Sequence, residues 1–397
     1  VHKRPAVRRR GQTPAGVDVA VVSDGGPSGG NMGDRDGFPD RIDGATPEAV
    51  RAAVESGAAL SGADGFAGAI DGRLVRDALG RYPLFSEAAD PATWSFDPGD
   101  LANPDPVPAG HARDASGDTE LWTLPDPEPY GNGERAVAAV RAAVVGSVDA
   151  VPGSPPIAFS GGVDSSILAA RLDGPLYVGG FEGSHDVAAA RSAADALGRE
   201  LRVVEFSHAD IERGVPEIVA ATGRTNPMDV QIALPLYLVA EAAAADGHDR
   251  LALGQGADEL FGGYAKIANA PGDHRVEADT VRGAARETVR TLPRQLERDV
   301  LALRAAGVEP VVPLLADRVV EAALRLPGEW LVDGDERKVA LRRAAEFLPA
   351  EIRSRDKKAV QYGSLLAREF DRLARQAGFK KRMDDHLGQY VESLCQE

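Results

Sequence analysis

The chain has 397 residues, a formal net charge of −16 and a single cysteine, Cys395. A chain of this length buries a full core and is expected to form about two domains. One cysteine excludes an internal disulfide, a thiolate zinc cluster and a CxxC redox pair, and the negative balance argues against a general nucleic-acid surface, which needs clustered Lys and Arg.

No stretch approaches the roughly 18 uninterrupted apolar residues of a membrane helix, and no signal peptide opens the sequence. A cytoplasmic protein that engages no membrane is therefore expected. The seven histidines are scattered with no i, i+4 pair, so His185 and His248 read as ordinary histidines rather than metal ligands. Seven Lys stand against 38 Arg, and 36 Asp against 25 Glu. Such a balance suits a halophilic, salt-filled cytoplasm, in which acidic surface charge maintains solubility.

Residues 1–31 carry five basic residues and two acids, are rich in Gly and Pro, and lack periodicity. They are expected to be disordered, or to lie upstream of a natural start at Met32. A small β-rich region follows, over residues 32–130. Thr46 to Val54 reads as a helix capped by Thr46 with Pro47 at its first position. Gly65 to Val75 reads as two short strands around an Asp71-Gly72 turn. Pro91 to Pro129 reads as loops and short strands.

From residue 131 onward the pattern alternates. Val137, Val140, Val144 and Val148 mark one helical face. Ile157–Phe159, Leu176–Phe181, Leu201–Phe206 and Leu251–Leu253 read as strands, with helices over Val187–Leu197 and Ile232–Ala245 between them. This alternation implies an α/β fold with a parallel sheet and helices on both faces. Beyond about residue 275 the chain reads as mostly helical.

Two motifs carry chemistry. Ser160-Gly161-Gly162-Val163-Asp164-Ser165-Ser166 lies between an apolar strand and a helix. Its backbone N–H groups and hydroxyls can converge on an anion, and its glycines permit close approach. No lysine follows, so it is not a GxxxxGK[ST] loop, and it lacks the GxGxxG spacing. Asp164 would repel phosphate unless a cation lay between them, which points to Mg²⁺. The second motif is Gly254-Gln255-Gly256-Ala257-Asp258-Glu259-Leu260-Phe261-Gly262-Gly263-Tyr264, also directly after a strand. Asp164 and Asp258 then both fall at C-terminal strand ends, where open α/β sheets bind ligands.

The first motif resembles the pyrophosphate loop of N-type ATP pyrophosphatases, with an adenine nucleotide alpha hydrolase-like fold. The second resembles the signature of the asparagine synthetase family. Phe181 to Arg191, Glu309 to Asp317, Glu336 to Arg342 and Arg355 to Gly363 resemble further stretches of that family, so the likeness runs from about residue 134 to 370.

The resemblance implies ATP and Mg²⁺ as cofactors, with Asp164 and Asp258 holding the metal. Ser160, Gly161, Gly162, Asp164, Ser165, Ser166, Phe181, Gly254, Gly256 and Glu259 would contact the nucleotide. It implies catalytic roles for Lys338, Asp258, Gln255 and Lys358, with Lys338 meeting charge on the intermediate and pyrophosphate. The implied substrates are a small carboxylate, aspartate foremost, and ammonia or an amine.

Gly65–Ile70 and Arg76–Leu84 resemble the late part of a class II glutamine amidotransferase domain, whose N-terminal cysteine is absent here. Ammonia is therefore expected from solution or from a separate glutaminase subunit. Gln255 stands where the family has glutamate, and a neutral amide cannot act as a general base. Two other readings stay open: a ligase for another carboxylate and amine, and a nucleotide-binding partner subunit without turnover.

Overall fold

The computed structural model describes residues 39–396, except residue 271 and residues 356–358; the tail read at 1–31 and the pair Lys357 and Lys358 lie outside the described residues. Strand β1 (Arg41–Asp43) leads into α1 (Pro47–Ser56). There Thr46 Oγ1 accepts the Ala49 N–H, and Gly57 closes the helix at φ 65°. Strands β2 (Ala67–Ile70) and β3 (Arg73–Arg76) form a hairpin. Its turn residues Asp71 and Gly72 have φ 48° and 74°, the pair of left-handed conformations that a two-residue type I′ turn requires.

Short strands follow at β4 (Phe85–Glu87), β5 (Asp90–Ser95), β6 (Pro104–Pro106), β7 (His111–Asp114) and β8 (Gly117–Glu120). The antiparallel order β1-β2-β3-β7-β8 makes one sheet, and β5-β4-β6 makes a smaller one. Both faces of β2 are covered. Phe66, Ile70 and Val75 pack with Val50 and Ala53 of α1, while Ala67, Ala69 and Leu74 pack with Leu84 and Val107.

Helix α2 (Gly133–Asp149) buries Val140, Val144 and Val148, with Val137 packed at the edge of the same core. Then come β9 (Ile157–Ala158), α3 (Val163–Ala169), β10 (Leu176–Gly180), α4 (His185–Leu197), β11 (Leu201–Glu205), α5 (His208–Thr222) and α6 (Pro227–Ala245). These are followed by β12 (Arg250–Ala252), α7 (Ala257–Leu260), α8 (Ala265–Ala268), α9 (Val281–Val289), α10 (Leu292–Ala305), β13 (Glu309–Val311) and α11 (Asp317–Leu324). The second sheet is parallel throughout, in the order β11-β10-β9-β12-β13. Strand order runs outward from β9 on one side and from β12 on the other. The reversal between these two strands opens a crevice at their C-terminal ends.

The α/β alternation is as the sequence implies, and the part after residue 275 is mostly helical. Within that part, strand β13 joins the parallel sheet at its edge. Its Pro310 lacks an N–H, which an edge strand tolerates. Helix α6 is long and apolar enough to cross a membrane by length and composition alone. It packs against α5, α10 and β10, and buries Val230, Leu234, Tyr237 and Leu238. The chain ends through α12 (Gly328–Leu331), the hairpin of β14 (Val332–Asp333) and β15 (Glu336–Arg337), α13 (Val339–Ala344), α14 (Ala350–Arg353), α15 (Val360–Gly363), α16 (Leu366–Gln376) and α17 (His386–Leu394).

Buried ions tie the antiparallel region to the parallel one. Arg81 pairs with Asp77 at 3.1 Å and with Asp317, at the start of α11, at 2.6 Å. Asp317 also accepts the Gly62 N–H at 2.7 Å. Removing one member strands a buried charge, a change worth about 3–5 kcal/mol. Asp317→Ala is therefore expected to lower unfolding free energy in urea by about 3 kcal/mol or more. A loss below about 1 kcal/mol, the range of an exposed pair, would contradict this account.

Candidate active site at the sheet's switch point

The two sequence motifs meet in the crevice between β9 and β12. Gly161 adopts φ 72°, and a Cβ there would lie 2.6 Å from Ala189 O, so only glycine lets the loop lie against α4. Gly162 caps α3 without a side chain. Ser165 Oγ accepts the Ser160 N–H at 3.2 Å and lies 3.3 Å from Ser160 Oγ, which fixes the turn's width. Ser166 Oγ is buried with no hydrogen-bond partner among the described residues. Gly254 brings the second motif against the first, because a Cβ on it would stand 2.8 Å from Asp164 Cβ and 3.0 Å from Ser165 N. Gly256, at φ 88°, turns the chain into α7 over Leu315.

Lys338 closes the site from the far side of the chain. The β14–β15 hairpin delivers it just before α13, in a left-handed conformation at φ 59° that is costly for a lysine. Its Nζ donates to Asp164 Oδ1 at 2.9 Å and Oδ2 at 2.7 Å, and lies 2.8 Å from Asp258 Oδ1. Lys338 is only 6% exposed. Burial alone would lower its pKa, but the Asp164 and Asp258 carboxylates outweigh that and raise it, so the ammonium stays charged. A Cβ on Gly263 would lie 1.8 Å from Asp258 Oδ1 and 2.5 Å from Lys338 Cε, which explains a glycine there.

The same cleft is lined by Arg337, Arg342 and Arg355 beside Gly162, Asp164 and Asp258. Arg337 donates to Gly263 O at 2.7 Å, and Arg355 donates to Ala189 O at 2.6 Å and to Gly161 O at 3.3 Å. Four cations therefore face two carboxylates, a balance that favours a polyanion. The sequence reading passed over these three arginines, although they lie inside the stretches Glu336–Arg342 and Arg355–Gly363. Their proximity to the turn depends on separations of up to 194 residues.

Glu259, Phe181 and Gln255 are each held by a contact within the fold. Glu259 is buried, and its carboxyl accepts the Tyr264 hydroxyl at 2.6 Å. Burial, then the Asp258 charge, push its pKa up to about 7. The backbone N–H of Phe181 donates to Ser364 O at 3.1 Å, and Phe181 lines a shallow cleft with Ser184, Val187 and Arg191. Gln255 donates its Nε2–H to Asp299, which the sequence reading did not single out. Lys358, a proposed catalytic residue, lies outside the described residues.

Asp164 and Asp258 are hard oxygen ligands that already enclose a cation, the Lys338 ammonium. Among the described residues no group of three or more Asp, Glu, His or Cys side chains is placed to hold a metal ion by itself. Two carboxylates suit Mg²⁺ that takes its remaining ligands from phosphate and water, not a closed protein cage.

Fold and site together define an α/β protein with a glycine-rich turn and a Lys–Asp cluster at the switch point of a parallel sheet. The sequence model described as asparagine synthase matches residues 139–287 and 268–392, and the chain belongs to that family. It is 31% identical over 279 residues to a Methanocaldococcus jannaschii protein described as a glutamine-hydrolysing asparagine synthetase, covering 61% of this chain and 51% of that one. It is 26% identical to asparagine synthetase B of Escherichia coli, covering 52% of this chain and 41% of that one. It is also 26% identical to the nodule asparagine synthetase of Pisum sativum, covering 52% and 39%. The chain thus spans about half the length of these relatives or less.

If Lys338 neutralises the two carboxylates, Lys338→Met is expected to lose about 3 kcal/mol in the presence of a chelator. Added Mg²⁺ should restore part of that loss while changing the parent little, as read by thermal unfolding. A variant as stable as the parent in chelator would contradict the arrangement.

Proposed function

We propose that this protein is an ATP-dependent amide-forming ligase that activates a small carboxylate, aspartate foremost, as its acyl-adenylate. The observation that carries this reading is the Lys338 ammonium held between Asp164 and Asp258 beside the Ser160–Ser166 turn.

A carboxylate oxygen attacks the α-phosphorus of ATP, and pyrophosphate leaves with the electrons of the broken P–O bond. Lys338, Arg337 and Arg355 supply fixed positive charge where negative charge grows on the departing group. The backbone N–H groups of the Gly161-Gly162 turn hold its oxygens at close range. Asp164 and Asp258 would hold Mg²⁺, which supplies further charge neutralisation at the phosphates. Ammonia or an amine then attacks the acyl carbon, and AMP departs. No covalent protein nucleophile is required.

The nitrogen source in this proposal is free ammonia, another amine, or ammonia from a separate glutaminase subunit, in a cytoplasmic setting. The names of the relatives include glutamine hydrolysis, a property of those proteins. The one cysteine of this chain, Cys395, is exposed just beyond α17. A second reading, a different carboxylate and amine on the same scaffold, draws support from Gln255, which cannot act as a base.

Pyrophosphate release from ATP and Mg²⁺ in high salt, with aspartate and ammonium, tests the proposal. Aspartate-dependent release is expected, with a fall of at least about a hundredfold in Asp258→Asn. Release only with other acids would move the substrate assignment. ATP binding without release under any of these conditions would sink the ligase reading.

A further inference from the structure

Arg342 lines the cleft beside Lys338, yet three of its guanidinium nitrogens are turned to main-chain carbonyls. Its Nε donates to Arg337 O at 2.8 Å, one Nη to Arg353 O, and the other Nη to Arg355 O at 3.4 Å. Arg337 O belongs to the peptide bond that enters Lys338, the residue held at φ 59°. Arg353 closes α14, and Arg355 follows shortly after it. One planar fork therefore fastens the end of the β14–β15 hairpin to the segment beyond α14.

The base of the fork is rigid. Arg342 is 9% exposed on α13, its backbone N–H donates to Lys338 O at 2.9 Å, and the adjacent Ala340 and Leu341 are fully buried. Arg141 of α2 donates to Ala344 O at 2.9 Å and to Arg343 O at 3.1 Å, which seats the other end of α13.

What the fork gathers is the backbone of the cations that reach the two motifs. The Lys338 ammonium meets Asp164 and Asp258, and the Arg337 side chain donates to Gly263 O. Arg355 donates to Gly161 O, Ala189 O and Ser192 Oγ. Arg337 thus grips the second motif and Arg355 the first, while Arg342 sets the separation of these arms across the crevice. A lysine at 342 would carry the same charge on a single ammonium, which cannot span the carbonyls of residues 337, 353 and 355 together.

We propose that Arg342 is a positioning residue for the pyrophosphate end of the nucleotide. Through the carbonyls of Arg337, Arg353 and Arg355 it fixes the spacing of Lys338 and Arg355 around that group. This deepens the ligase reading and rests on its placing of the phosphates in this cleft. The fork works by geometry, so positive charge at residue 342 does not replace it.

Binding of magnesium pyrophosphate and of adenosine, each read by calorimetry on the whole chain, tests the assignment, with aspartate-dependent ATP–pyrophosphate exchange run beside them. Arg342→Lys and Arg342→Gln are each expected to weaken pyrophosphate binding about tenfold or more, the range of a lost charge-assisted contact, and to keep adenosine affinity within about twofold. The KM for pyrophosphate in exchange should rise by the same factor. Arg342→Lys combined with Arg355→Gln should lose less than the product of the two single losses, because residue 342 acts in part through Arg355.

Pyrophosphate affinity retained by Arg342→Lys would reduce the residue to a simple charge and overturn the assignment. Parallel losses for pyrophosphate and adenosine, or losses that multiply in the double variant, would overturn it as well. If Arg342→Gln fails to fold, Arg342→Lys decides alone. A parent protein that binds pyrophosphate but exchanges it with no acid would overturn the ligase reading and leave this assignment standing. A parent that binds no pyrophosphate would overturn both.

Discussion

Everything in the crevice is arranged around one buried ammonium. Lys338 sits between Asp164, in the first turn of α3, and Asp258, in α7, with N–O distances of 2.7–2.9 Å. Two carboxylates that both reach one ammonium lie close enough to repel each other, and the cation between them offsets that cost. The cost of desolvating Lys338 is met by those same carboxylates, so the cluster holds only as a set.

That constraint reaches outward into the backbone. Lys338 adopts a left-handed conformation because the β14–β15 hairpin must deliver its amine into the crevice before α13 begins. Gly263 and Gly254 are glycines because any Cβ would collide with Asp258 or Asp164. Gly161 and Arg355 pin the anion turn to α4 from two directions. The parallel sheet contributes the one place where two strand ends diverge, and the motifs after β9 and β12 occupy both sides of that gap.

The sequence displays the parts of this arrangement that are local. A glycine-rich turn after an apolar strand, or an Asp-Gly pair between two short strands, is written within a few residues, and both are found where expected. Thr46 and Pro47 start α1 for the same reason. What could not be read depends on distant pairing. Asp299 lies 44 residues from Gln255, and Glu297 lies 221 residues from Arg76. Arg355 reaches Gly161 O across 194 residues. Nothing in the composition of α10 distinguishes Asp299 from a solvated acid, and in an acidic chain most such residues are solvated. Glu259 and Phe181 show the converse. They sit in motif positions, yet Glu259 accepts from Tyr264 and the Phe181 N–H donates to Ser364, contacts the local pattern does not encode.

Assisted by the Lys338 cluster, a carboxylate oxygen is proposed to attack the α-phosphorus of ATP. Aspartate labelled with ¹⁸O in its side-chain carboxylate tests this most directly, with the recovered AMP analysed by mass spectrometry. One labelled oxygen is expected in the phosphate of AMP, formed with pyrophosphate and an amide product. Unlabelled AMP, or ADP and phosphate in place of AMP and pyrophosphate, would contradict it.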